Sequence, residues 1–364
     1  MSELTIKTVV RPRGQCSATF LDSEHRVPQK TYESPVQGLS VWPSFSRWQQ
    51  LLRSLLSAVC LMAVVVVSFP GEAFAQQAEK PSEDLGAAIR QRLQEFGQGV
   101  EAGIWVGDSD GNVLFGHQSD VARPTASAIK TAYLMELFAD RSDTLDQSPV
   151  ELDAMLRDTH PAVSHFTAEQ RARIRKELSN ASVRRIGRIM MGSDPAENVV
   201  YNAAANVSTA LLGGPEGLTA RIHKRSEAFR GIAIRRYMLA DRKVNGDNTA
   251  TPEALGAVLL QLSTGKLNNV SPQTIQDIHS AILESDARHG VVGRHRYKDG
   301  SLNSDPRTRV RAGWWHAKNI SAGFVYVVML EQPVGKDPPA SDADEKLAAL
   351  TDELTQQVLA GIAE

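Results

Sequence analysis

Strand patterns occur near both ends of the region that follows residue 82, and helical patterns fill the stretch between them. Near the start, residues 102–106 and 112–115 have the composition of two strands joined by a tight Asp110-Gly111 turn, which predicts a hairpin. Three more strand-like runs near the end cover residues 295–302, 310–316 and 323–330. The order predicts an α/β (α+β) fold in which an antiparallel sheet, built from both chain ends, is flanked by helices and interrupted by an inserted all-helical subdomain.

Helical periodicity frames this sheet. Residues 83–96 carry apolar side chains at helical spacing, and a closing amphipathic helix carries Leu347, Leu350, Leu354, Val358 and Ile362. Residues 225–247 have no sustained period, which indicates a long functional loop. We therefore expect a site at the seam between the sheet half and the helical half.

An apolar run at residues 55–69 follows Arg47 and Arg53 and precedes Ala73-Phe74-Ala75. This order of charged residues, apolar run and small-x-small site is typical of a secretory signal. A single membrane anchor is the alternative, but a run of 15 residues is shorter than the roughly 20 that a span needs. The expected organisation is a leader at 1–75, a linker at 76–82 and one folded domain at 83–364. We expect export to the periplasm or the extracellular space, with no stable membrane span after cleavage.

Charge and cysteine content narrow the function. A net charge of −2 gives no global field for nucleic acid or for an anionic membrane. Both cysteines, Cys16 and Cys60, lie in the leader, so neither disulfides nor thiolate chemistry are expected after Ala75. The histidines show no metal-ligand spacing. We expect neither a metal nor another cofactor.

The four residues Ser127-Ala128-Ile129-Lys130 stand where an apolar helix begins. Positions three apart share one helix face, so the Lys130 amine can lie beside the Ser127 hydroxyl. A neighbouring amine that takes the proton makes a serine a competent nucleophile. A helix-capping serine followed by a solvated lysine is the alternative.

With the preceding hairpin, this stretch resembles the nucleophile region of the penicillin-recognising serine hydrolases, specifically the class A β-lactamase branch. The resemblance covers roughly residues 83–364. It implies that Ser127 is acylated, that Lys130 is its proton partner, and that the substrate is a small-molecule β-lactam or a cell-wall peptide.

Two places compete for the family's second motif, Ser-Asp-Asn. Ser193-Asp194 supplies its first two letters, whereas residues 200–220 match the family over a longer stretch and place the motif asparagine at Asn202. The longer match implies that Asn202 contacts a substrate amide and the Lys130 side. It also places Val200 where the family has a serine that passes a proton to the leaving nitrogen. Valine cannot transfer a proton, so Ser193 or a water substitutes, or the step is lost.

Lys298-Asp299-Gly300-Ser301 fits the place of the third motif, Lys-Thr/Ser-Gly on a sheet-edge strand. The resemblance implies that Lys298 supplies positive charge and that Gly300 lets substrate lie against the strand. Asp299 replaces a hydroxyl and would repel a substrate carboxylate. One of three nearby arginines could offset it: Arg307, Arg309 or Arg311. A plain turn is the alternative.

The family's deacylating glutamate belongs in the long loop, but no glutamate follows Glu227 there. The nearest carboxylate with similar spacing is Asp241, which is expected either to position the hydrolytic water or to be a solvated loop residue. The sequence thus predicts an exported serine hydrolase resembling class A β-lactamases. The alternative is a catalytically impaired module that binds cell-wall peptide without efficient turnover.

Overall fold

The computed structural model describes residues 79–97, 99–317, 323–334 and 342–363, all within the compact unit Pro70–Glu364. The predicted leader, 1–75, lies outside the described residues. Part of the predicted linker, 79–82, is helical, because helix α1 spans Glu79–Phe96 and so begins earlier than expected.

Strands from both chain ends form one antiparallel sheet, as predicted. The described residues give seven strands in this sheet, with the order β2-β1-β9-β8-β6-β5 and with β7 paired to β8 beyond the end of β6. Their bounds are β1 Glu101–Asp108, β2 Val113–His117, β5 Leu283–Arg288, β6 Val291–Tyr297, β7 Gly300–Leu302, β8 Arg307–Ala317 and β9 Gly323–Gln332. Strands β3 (Arg123–Pro124) and β4 (Thr249–Ala250) form a separate pair.

Helices occupy the middle and the two ends of the described region. They are α2 Lys130–Asp140, α3 Leu152–Met155, α4 Ala168–Leu178, α5 Val183–Met191, α6 Asn198–Leu211, α7 Gly214–Arg225, α8 Arg242–Asn245, α9 Pro252–Thr264, α10 Pro272–Ala281 and α11 Ala343–Ala363. Short 3-10 helices span Ala126–Ile129, Ser142–Thr144 and Glu227–Phe229. No helix among the described residues is both long and apolar enough to cross a membrane.

Two apolar cores lie on the two faces of the sheet. The larger joins the helical middle to one face, and the smaller packs α1 and α11 on the other. Trp314 belongs to the first core and its neighbour Trp315 to the second, because successive strand residues point to opposite faces.

The strands β5 to β7 differ most from the prediction. The predicted strand at 295–302 is divided between β6 and β7 around Lys298 and Asp299, although the Lys298 N–H still donates to the Ala312 carbonyl oxygen. Strand β5 was not predicted, because this edge strand is largely exposed and its polar sequence gives no apolar alternation.

Candidate active site

A cavity of about 740 Å³ opens between β7, the start of α6 and the loop that precedes β4. Ser127, Asn202, Lys298 and Gly300, all singled out from the sequence, line it. The other lining residues are Ala126, Asn198, Tyr201, Arg236, Met238, Leu239, Asp247, Asn248, Asp299, Ser301, Leu302, Asn303, Ser304 and Arg311. The structure thus brings segments from distant parts of the sequence to one place.

Ser127 is partly exposed and sits in the 3-10 helix that continues directly into α2. The residue before it, Ala126, has a φ of +49°, a conformation that costs a non-glycine residue free energy. The first N–H groups of a helical segment have no intrahelical acceptor. The Ser127 amide is one of these groups, beside its own hydroxyl.

Lys130 begins α2 and is fully buried. Burial, and secondarily the positive charge of Lys298, hold the pKa of the Lys130 amine well below its ordinary value. Its Nζ donates to Asn202 Oδ1 at 3.0 Å rather than to Ser127 Oγ. Among the described residues no hydrogen bond joins Ser127 to Lys130, and active-site hydrogen bonds are often looser before substrate binds.

Asn202 is held rigidly in the first turns of α6. Its Nδ2 donates to the Asn198 carbonyl oxygen at 2.9 Å and to Asn198 Oδ1 at 3.0 Å. The contact with Lys130 agrees with the longer of the two motif matches. Ser193 does not line the cavity, and its hydroxyl donates to the Arg188 carbonyl oxygen at 3.2 Å.

Tyr201 is a cavity residue that the sequence did not single out. Its ring centroid lies 3.2 Å from Lys130 Nζ and 5.3 Å from Lys298 Nζ. The ring face favours the charged form of a nearby amine, whereas burial removes most of the hydration of the Lys130 ammonium and lowers the pKa of the amine. The only sequence signal was an aromatic residue next to the motif asparagine.

Strand β7 forms the wall opposite α6. A Cβ at Gly300 would lie 2.5 Å from the Thr125 carbonyl oxygen and 3.0 Å from the Ala128 nitrogen. A glycine is therefore required for β7 to pack against the segment that carries Ser127. Lys298 is 6% exposed and donates to the Asp299 carbonyl oxygen at 3.2 Å.

Two arginines form ion pairs with the Asp299 carboxylate. Arg288 binds its carboxylate at 2.6 Å, and Arg311 lies 3.8 Å away. Arg311 also pairs with Asp352 of α11 at 2.6 Å. Burial would raise the pKa of Asp352, but hydrogen bonds from His289 and Arg311 lower it to about 2. Of the three arginines considered from the sequence, Arg311 reaches the cavity, whereas Arg307 and Arg309 pair with Asp344.

The structure does not bring Asp241 to the cavity. Asp241 is exposed and caps α8, where its Oδ1 accepts from the Lys243 N–H at 2.9 Å. The loop instead presents Met238, Leu239 and Asp247 to the cavity.

Two buried asparagines fix this loop. Asn206 binds both the N–H and the carbonyl oxygen of Met238. Asn248 Oδ1 accepts from the N–H groups of Arg235 and Arg236, and its Nδ2 donates to the Tyr133 hydroxyl at 3.1 Å. The loop is thereby attached to both α6 and α2.

Residues 84–356 match the profile of the Beta-lactamase enzyme family. The chain belongs to this family. Among solved structures, the extended-spectrum β-lactamase TLA-1 is similar over 77% of this chain and 99% of its own, with a TM-score of 0.58 and 16% identity. A class A β-lactamase described as the last common ancestor of Gram-negative bacteria is similar over 78% of this chain and 99% of its own, with a TM-score of 0.55 and 21% identity. At these identities the two likenesses show the fold alone. A search of curated proteins found no match.

The cavity of this β-lactamase-family chain offers two carboxylates, Asp247 and Asp299, and both are in ion pairs. Asp247 binds Arg236 at 2.7 Å and also contacts Arg242, which in turn donates to the Ser304 hydroxyl at 2.6 Å. Within the described ranges, no group of three or more metal-ligating side chains is close enough to hold an ion.

Proposed function

We propose that Ser127 is a nucleophile that becomes acylated by a β-lactam or by a related amide such as a cell-wall peptide. Ser127 Oγ attacks the carbonyl carbon, and its proton passes to the neutral Lys130 amine. The observation that carries this proposal is the complete burial of Lys130 one helical turn after a cavity serine, which favours the neutral, proton-accepting amine.

Charge that develops on the substrate oxygen needs donors already in place. The Ser127 amide, at the start of the helical segment, is such a donor, and the N-terminal end of a helix favours negative charge. Lys298 adds a positive charge on the opposite wall and would attract a carboxylate on the substrate.

Release of the acyl group is proposed to be slow. A hydrolytic water needs a base within hydrogen-bond reach, but both cavity carboxylates are neutralised by arginines. The loop contributes Met238 and Leu239, which cannot accept a proton. These features favour a long-lived acyl-enzyme over rapid antibiotic hydrolysis.

Export to the periplasm or the extracellular space is also part of the proposal. It is supported by the apolar run at 55–69 and the small residues that follow it. Intact-mass measurement of protein recovered outside the cytoplasm should give a chain that begins at Gln76. Recovery of the full-length chain there would contradict cleavage.

Acylation is tested by incubating the full chain with benzylpenicillin and following intact mass, with peptide mapping of the adduct. We expect one adduct, on Ser127, that persists over many minutes, and no adduct in Ser127→Ala. A matched control is Ser301→Ala, which removes another cavity hydroxyl and should leave the adduct intact. A folded wild-type protein that gains no mass would end the proposal.

A further inference from the structure

Helix α6 lacks the proton-donating serine that the family resemblance implies, but the residue after that position also carries a hydroxyl. Val200, at the position where the resemblance expects a serine, is 1% exposed and packs in the larger core. Tyr201 instead faces the cavity that holds Ser127. A rotation of about 100° per residue along a helix separates the directions of these two side chains.

Tyr201 lies against both amines of the site. Its ring centroid is 3.2 Å from Lys130 Nζ and 5.3 Å from Lys298 Nζ. Once Lys130 has accepted the Ser127 proton, its ammonium lies against this ring and can return a proton to it through a water. A phenol is also far more acidic than an aliphatic hydroxyl, with an ordinary pKa of about 10.

Other cavity groups are less suited to this step. The Asn202 amide already donates to Asn198, and the Ser304 hydroxyl is bound by Arg242. Ser301 is exposed on β7, and within the described part of the chain no hydrogen bond joins it to either lysine. The Tyr201 hydroxyl has no hydrogen-bond partner among the described residues, so it is available to a substrate in the cavity.

We propose that Tyr201 is a catalytic residue that donates its phenolic proton to the leaving nitrogen of the substrate. The inference rests on the proposed acylation of Ser127. The Ser127 proton goes to the Lys130 amine as the Oγ–carbonyl carbon bond forms. As the carbon–nitrogen bond breaks, the Tyr201 O–H protonates the nitrogen, and the resulting phenolate recovers a proton from the Lys130 ammonium through a water. The net transfer is one proton from Ser127 to the leaving nitrogen.

Two probes with different leaving groups test this step. Benzylpenicillin expels a nitrogen that must be protonated, whereas p-nitrophenyl acetate expels a phenolate that is stable as an anion. Tyr201→Phe keeps the ring beside both amines and removes only the hydroxyl. We expect Ser127 acylation by benzylpenicillin to slow by ~10²–10⁴-fold, the range for loss of an acid–base group, and acylation by the ester to be unchanged.

The control is Tyr237→Phe, which removes a half-buried phenol from the same region but outside this cavity. It should react like the wild type with both probes, and thermal unfolding should show that both variants are folded. Equal slowing of both probes in Tyr201→Phe, or no slowing of either, would overturn the inference while leaving Ser127 acylation established. A wild type that reacts with neither probe would overturn the proposed function itself, and the inference with it.

Discussion

The buried position of the Lys130 amine lowers the free energy of unfolding. A buried lysine that has no carboxylate partner favours its neutral form. The single hydrogen bond to Asn202 replaces only part of the hydration that an ammonium loses on burial. Lys298, also largely buried, adds repulsion. The same arrangement that destabilises the folded state favours the neutral amine that the proposed acylation requires.

Replacement of this amine should separate stability from chemistry. We expect Lys130→Met to slow Ser127 acylation by ~10²–10⁴-fold and to raise the free energy of unfolding at neutral pH, although the lost donor to Asn202 offsets part of the gain.

The pH dependence of unfolding tests whether burial of the Lys130 amine destabilises the folded state. The folded-state pKa of Lys130 is below its ordinary value of 10.5. Between those two pKa values the unfolded wild type binds more protons, so its stability rises with pH, by up to ~1.4 kcal/mol per unit. Urea unfolding at several pH values should show the advantage of Lys130→Met shrinking as pH rises. An advantage that grows with pH would contradict a neutral Lys130.

At the scale of elements, the loop between the 3-10 helix Glu227–Phe229 and β4 supplies several of the side chains that line the cavity. Asn206 and Asn248 hold the backbone of this loop in place. The side chain at position 238 therefore determines the chemistry of this part of the cavity wall. Met238 is 7% exposed and supplies an apolar surface there.

A carboxylate at this position should restore release of the acyl group. We expect Met238→Glu to shorten the lifetime of the Ser127 adduct by about 100-fold, the lower end of what a positioned base contributes. The buried acid should lower the free energy of unfolding by about 1–3 kcal/mol. The adduct lifetime is measured by intact mass after removal of free penicillin.

Met238→Gln is the matched control, because it has nearly the same shape as the glutamate variant and cannot accept the proton. Equal lifetimes in the two variants would show that the missing carboxylate does not limit release.

At the scale of the whole molecule, the sheet lies between the two apolar cores and contributes side chains to each of them. Strands β1, β8 and β9 place residues in each core, so loss of either core exposes the same sheet. The cavity lies on the side of the larger core, whereas α11 packs on the other side and reaches the cavity through Asp352, Arg311 and Asp299.

A shared sheet predicts that a cavity made far from the site destabilises the entire unit. Leu354 is fully buried in the smaller core, and Leu354→Ala should lower the free energy of unfolding of the protein by ~2–5 kcal/mol. Far-UV circular dichroism and tryptophan fluorescence should report a single coincident transition in urea.

Val150→Ala is the control, because Val150 is 94% exposed and its truncation should change stability by less than about 0.5 kcal/mol. Separate transitions for the two probes in Leu354→Ala would show that the cores unfold independently.

The sequence by itself determined the sheet built from both chain ends, the helical middle and the one-turn spacing of Ser127 and Lys130, because these follow from local periodicity and spacing. It could not determine that Lys130 is fully buried, that Tyr201 rather than Val200 faces the cavity, or that Gly300 packs on the Ser127 segment. Asp241 and Asp247 illustrate the difference: both are loop aspartates in sequence, yet one caps an exposed helix and the other pairs with Arg236 in the cavity. Burial and charge pairing arise between segments far apart in the chain, so only the tertiary structure decided them.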